Sequence, residues 1–167
     1  MVEIDMLLRE KIKYVGLGDL ANTYKFARDW FVNEEFNVIE ESYSEKITGG
    51  GKELEIKWVC SRKVTDYFKI TLKLKWIILG MTDVEVEVDG RKKKMNKFVE
   101  LSIEIDGLLE KDYSGKWEGS GMQKFFQEAY HKYIIPARTE EKEIQVQKTV
   151  QDFKEEMKAF LELSGRK

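Results

Sequence analysis

Residues 53–60 read Glu-Leu-Glu-Ile-Lys-Trp-Val-Cys, and residues 68–76 read Phe-Lys-Ile-Thr-Leu-Lys-Leu-Lys-Trp. In the first stretch Leu54, Ile56, Trp58 and Cys60 alternate with Glu53, Glu55, Lys57 and Val59. In the second, Phe68, Ile70, Leu72, Leu74 and Trp76 alternate with Lys69, Thr71, Lys73 and Lys75. Successive side chains of a strand point to opposite faces, so apolar residues held in one phase describe a sheet with one covered side. The same period returns at Val84, Val86 and Val88 and again at Val99, Leu101, Ile103 and Ile105. An antiparallel meander of about five strands is expected between Phe36 and Tyr113.

The polar phases suggest how the strands align. A turn centred on Val64 sets Cys60 opposite Phe68 and Trp58 opposite Ile70. It also brings Glu55 against Lys73 and Glu53 against Lys75, pairs of opposite charge that favour the hairpin. In the next hairpin, matching Val88 with Val99 and Val86 with Leu101 sets Glu87 against Glu100. Like charges there require a nearby cation or another register. Trp76-Ile77-Ile78-Leu79 breaks the alternation ahead of Gly80, which predicts a bulge or bend.

Outward from the sheet, the period lengthens. Residues 2–15 fit either a helix (Ile4, Leu7, Leu8, Ile12, Val15) or a strand (Lys11-Ile12-Lys13-Tyr14). Gly18-Asp19 supplies an N-cap for a helix over 20–33, with Leu20, Tyr24, Ala27, Trp30 and Phe31 on one face. Ser120 and Gln123 form a capping-box signature for a helix over 121–135 that carries Met122, Phe125, Phe126, Ala129, Tyr130 and Tyr133 on one face, with Pro136 ending it. A second helix, from about 137 to 163, would run roughly 40 Å. Its seam of Val146, Val150, Phe153, Met157 and Phe160 steps by four and three. The expected fold is a single α+β domain over residues 1–167. Its meander has one face covered by an N-terminal helix and two C-terminal helices.

That order of elements (helix, meander, long C-terminal helix) resembles in outline the helix-grip domains, the START-like and polyketide-cyclase-like group. The resemblance implies a curved sheet wrapped around a long helix, with an apolar cavity between them. Aromatic residues on the covered faces are the cavity candidates: Trp58, Phe68, Trp76, Phe125, Tyr130 and Phe153.

Composition narrows the function classes. The 167 residues carry 29 Lys and Arg against 31 Asp and Glu, a net charge of -2, which is far from the strongly basic balance of a nucleic-acid binder. One Cys and one His leave no disulfide framework and no Cys/His zinc site. The longest uncharged apolar run, Trp76 to Met81, is far shorter than the roughly 20 residues that span a bilayer. Met1-Val2-Glu3-Ile4-Asp5 has acid where a signal peptide has base, so a cytoplasmic location is expected.

Several constellations bear on chemistry. Gly16-Leu17-Gly18-Asp19-Leu20-Ala21 fits the G-x-G-x-x-A fingerprint of dinucleotide sites. Its candidate strand is too polar for the centre of a parallel sheet, Asp19 would face the phosphates, and hairpins follow. A glycine turn with an Asp cap is the better reading, and no cofactor is expected. Gly49-Gly50-Gly51-Lys52 lacks phosphate-loop spacing and reads as a hairpin turn. His131 falls on the polar side of its helix, and Cys60 shares the inward phase, so neither is read as catalytic. Glu85, Glu87, Asp89, Glu100, Glu104 and Asp106 share the outward phase. They could offer a divalent-cation or paired-carboxylate site, although a solvated face balanced by Lys69, Lys73 and Lys75 is favoured, so no metal is expected. Arg91, Lys92, Lys93 and Lys94 form a basic hairpin tip, an interaction candidate for phosphate, an acidic partner or a membrane surface.

The leading expectation is a non-catalytic module that holds an apolar small molecule between the sheet and the C-terminal helix. The alternative is a protein-interaction or self-assembly domain, such as a homodimer, that uses the helix seam. An enzyme and a nucleic-acid binder rank below both.

Overall fold

A computed structural model describes residues 3–111 and 135–165. The elements are β1 (Glu3–Gly18), α1 (Leu20–Asn33), β2 (Asn37–Thr48), β3 (Gly51–Lys63), β4 (Phe68–Val88), β5 (Arg91–Lys111) and α2 (Ile135–Gly165). The five strands form one antiparallel sheet in the order β1-β5-β4-β3-β2. The fold is α+β, and β2 to β5 form the expected meander.

Two expectations about the helices change. The chain opens with a strand and not a helix: residues 2–15, ambiguous in sequence, fall largely within β1, which adds to the sheet beside β5, and α1 follows it. Of the two C-terminal helices, α2 is present, with Pro136 in its first turn, where a missing N–H costs nothing. The helix expected at 121–135, with Phe125, Tyr130, His131 and the Ser120–Gln123 box, lies outside the described residues. No helix among the described residues is long and apolar enough to cross a membrane.

The strand phases match their expected faces except at Val99, which was expected inside but is exposed while Phe98 is buried, across from the left-handed Gly80; both registers also shift. Cys60 faces Leu72, Trp58 faces Leu74 and Glu55 faces Ile77, four residues from the expected alignment. The cause is the loop. Thr65 Oγ1 accepts hydrogen bonds from the backbone N–H of Tyr67 (3.1 Å) and Phe68 (3.0 Å), which closes a longer connection than a turn on Val64. A shift of four preserves the phase, so the inward residues from Leu54 to Cys60 and from Phe68 to Trp76 stay inside. Lys75 still reaches Glu55 diagonally at 3.6 Å.

In the next hairpin Val88 pairs with Arg91 across Asp89-Gly90, whose φ values of 51° and 75° are those of a two-residue turn with both central residues left-handed. The expected opposition of Glu87 and Glu100 is therefore absent. Glu87 faces Lys92 and Glu85 faces Lys94.

One hydrophobic cluster joins the inner face of the sheet to both helices. It includes Ile56, Trp58, Leu74, Trp76, Ile103 and Ile105 of the sheet, Ala27 and Phe31 of α1, and Val146, Val150, Phe153 and Met157 of α2. Burying each large side chain contributes ~1.5–3 kcal/mol, so this cluster dominates the energetics. Helix α2 packs along β1 and β5, while α1 packs near β2 and against α2. The seam of α2 is thus spent within its own chain. Val146, Val150, Phe153 and Met157 are fully buried, and Phe160 stacks on Phe26 of α1 with ring centroids 4.3 Å apart.

Candidate functional site

The inward phase of β3 and β4 sets Trp58 and Trp76 side by side, with ring centroids 5.1 Å apart at 58°. Helix α1 covers them with Tyr24. Asp19 fixes the start of this helix: its carboxylate accepts from the Asn22 N–H at 3.2 Å. Asn96 of β5 adds a second anchor by accepting from the Leu20 N–H at 2.9 Å. Tyr24 then lies one turn in. Its ring is 4.8 Å from that of Trp58, nearly perpendicular, and 5.9 Å from that of Trp76.

Polar atoms thread this aromatic group. Trp58 Nε1 donates to Tyr24 Oη at 3.2 Å, and Tyr24 Oη donates to Glu40 Oε1 of β2 at 3.0 Å. Burial, and then the Glu40 carboxylate, push the Tyr24 phenol above its usual range. Trp76 differs: its Nε1–H is buried and has no hydrogen-bond partner among the described residues. Buried N–H groups are nearly always paired, which sets this one apart. The group therefore runs from a half-buried Tyr24 beside an exposed Glu40 to a wholly buried Trp76.

The described cavity candidates occupy different parts of the core. Trp58 and Trp76 adjoin, while Phe153 packs on Phe31 (4.6 Å) and Trp30 (5.2 Å). Phe68 lies at the start of β4 against Tyr67. Phe125 and Tyr130 lie outside the described residues. Tyr24 and Glu40 were not among the candidates. Tyr24 read as one more member of an apolar helix stripe, and nothing local in the sequence ties Glu40 to it. Clefts lined by described residues open elsewhere, among them one of about 520 Å³ beside Arg62 and Lys69 and one of about 420 Å³ beside Gly80 and Val99.

The other candidates resolve by their pairing. Arg91, Lys92, Lys93 and Lys94 are exposed but belong to strand β5 and not to a loop, with Lys92 and Lys94 opposite glutamates. The acidic cluster divides into two groups. Glu85 and Glu87 sit on the ribbon that ends in the Asp89-Gly90 turn, opposite those lysines. Glu104 and Asp106 lie on the outer face between two basic strands, with Lys75 and Lys73 on β4 and Lys11 and Arg9 on β1 directly across. Arg9 Nε reaches Asp106 at 2.6 Å, and Lys13 reaches Glu100 at 3.9 Å. No group of three or more His, Cys, Asp or Glu among the described residues converges on a metal-sized space.

Cys60 is fully buried, and burial pushes its thiol up to about 12. Gly16 and Gly18 close β1, an edge strand antiparallel to β5, so the G-x-G-x-x-A stretch does not join a parallel strand to its helix. Gly18 instead lets the Phe98 ring approach, since a Cβ there would lie 3.0 Å from it.

No protein-family model, curated protein or solved structure matches this chain.

Proposed function

We propose that the chain is a non-catalytic binding module that takes up an apolar small molecule between its sheet and its helices, in a helix-grip-like arrangement. The observation that carries this reading is the continuous aromatic group of Tyr24, Trp58 and Trp76, which leads from a solvent-facing edge into the core. Aromatic faces of this kind supply much of the apolar area that small-molecule sites use. Trp58 and Trp76 are fully covered, so a ligand reaches them by parting α1 from the sheet and displacing Tyr24.

The test is an NMR titration with 2-ethylnaphthalene that follows the indole N–H resonances. Selective, saturable shifts at Trp58 and Trp76 are expected. Uniform small shifts, or none, would overturn the reading.

A second reading, protein interaction, is favoured by edge strand β2. Ile39 (51%), Tyr43 (54%) and Ile47 (78%) are exposed along it. Exposed apolar edges invite pairing with another chain. Light scattering over a range of concentrations tests this reading: a constant monomer mass, in the absence of any partner, removes self-assembly.

A further inference from the structure

We propose that the ligand carries a neutral hydrogen-bond acceptor, such as a ketone or ester oxygen, which Trp76 Nε1–H receives; this rests on the apolar-ligand reading. Two indoles face each other in the core, and only one has its N–H satisfied. Trp58 donates to Tyr24, while Trp76 Nε1 is enclosed with no acceptor among the described residues. Phenylalanine would fill much of the same space without burying a donor. An indole kept there unpaired is a donor awaiting a partner. Water is a poor candidate for that role, because a buried water needs two to four polar partners and the surrounding side chains are chiefly apolar.

The surroundings also set the charge of the acceptor. Glu40 joins this group through Tyr24, and Cys60 on the same inner face keeps its proton. Trp58 faces Leu74 and Trp76 faces Ile56 and Ile103 across the neighbouring strands, all of them apolar. The inner face of these rows is apolar, so a carboxylate or phosphate at Trp76 would be desolvated there, which is costly. The cation that acts on the group, Arg28, is exposed at its Tyr24 edge. A neutral carbonyl on an apolar body meets both requirements.

Two probes of nearly equal size separate the ideas: 2-acetonaphthone, which has a carbonyl, and 2-ethylnaphthalene, which has none. The ketone is expected to bind roughly tenfold tighter, the value of one neutral hydrogen bond. Trp76→Phe should bring the two probes to parity, whatever it does to the affinity for each. In the unaltered protein, the Trp76 indole proton should move downfield with the ketone and not with the hydrocarbon, a readout that stands even where the variant fails to fold. Equal affinities in the unaltered protein, or a preference that survives Trp76→Phe, would overturn the inference and leave the apolar-ligand reading in place. Failure of both probes to bind would overturn both.

Discussion

Lys154 Nζ lies 2.8 Å from Glu10 Oε2, tying the middle of α2 to edge strand β1 across 144 residues of sequence. Gln151, one turn earlier on the helix, donates to the other oxygen of the same carboxylate at 2.8 Å. Val146, Val150, Phe153 and Met157 bury the neighbouring face, so this clamp sits beside the apolar seam and fixes which way the helix lies.

The clamp makes stability depend on pH. The hydrogen bond from Lys154, and then that from Gln151, hold the Glu10 carboxyl below its usual range. A carboxyl lowered in the folded state stabilises fully above its unfolded value, and that contribution is lost as pH falls through the folded value. Glu10→Gln should therefore melt a few degrees below the parent at pH 7. The gap should narrow as pH drops below about 4.3. Thermal denaturation followed by circular dichroism at both pH values checks this, and a gap that is constant with pH would refute it.

Phe153 is one of the contacts through which α2 meets α1, with Phe31 and Trp30 packed on its ring. It is fully buried, so truncation leaves a cavity as well as losing transfer energy. Phe153→Ala should cost about 3–5 kcal/mol, read from the midpoint of urea denaturation. Leu163→Ala, at an exposed position of the same helix, should cost well under 1 kcal/mol.

Much of this architecture was legible because a period of two survives any register. The apolar phases of β3, β4 and the later part of β5 were readable, from Leu54 to Trp76 and from Leu101 to Ile105, though Val99 was set inside when Phe98 is, and Asp19 marked the start of α1. Alignment was less legible, because loops set it. Thr65 lengthens one connection through its hydroxyl. Asp89-Gly90 tightens the other, a signal that was present in the sequence but was outweighed by four consecutive cations, poor strand formers until glutamates face them. Strand β1 was ambiguous for a similar reason. Irregularities between Met6 and Leu8 and between Tyr14 and Gly16 shift its phase, so that its apolar residues mimic a helical stripe. The candidate site was the least legible part. Tyr24 and Glu40 meet only because α1 folds back beside β2, and the unpaired state of Trp76 depends on every neighbour at once.

Cys60 should behave as a core residue in any labelling experiment. Burial pushes its thiol up to about 12, so at pH 8 roughly one molecule in ten thousand carries the thiolate. Alkylation by iodoacetamide should proceed only through unfolding, at a rate that rises with urea and reaches that of a free thiol beyond the transition. The same shift predicts weakening on the alkaline side: an acid whose folded pKa is raised stabilises below its unfolded value of ~8.5 and loses that contribution as pH climbs. Rapid modification without denaturant, read by mass spectrometry, would show that β3 opens locally.

Gly80 marks the place where β4 leaves the body of the sheet, and two separate demands meet there. Its φ of 59° is left-handed, and a Cβ at this position would stand 2.4 Å from Val99 Cγ2 of β5. Gly80→Ala therefore carries both backbone strain, of order 1–2 kcal/mol, and a clash with a β-branched side chain that has few alternative rotamers. The two effects can be separated by adding Val99→Ala. Val99 is largely exposed, so its own truncation should cost little. The double variant should recover the steric part of the loss and retain the backbone part, leaving it about 1–2 kcal/mol below Val99→Ala alone in urea denaturation. Full recovery would mean that the bend at Gly80 relaxes without cost. No recovery would mean that Val99 already moves aside in the single variant.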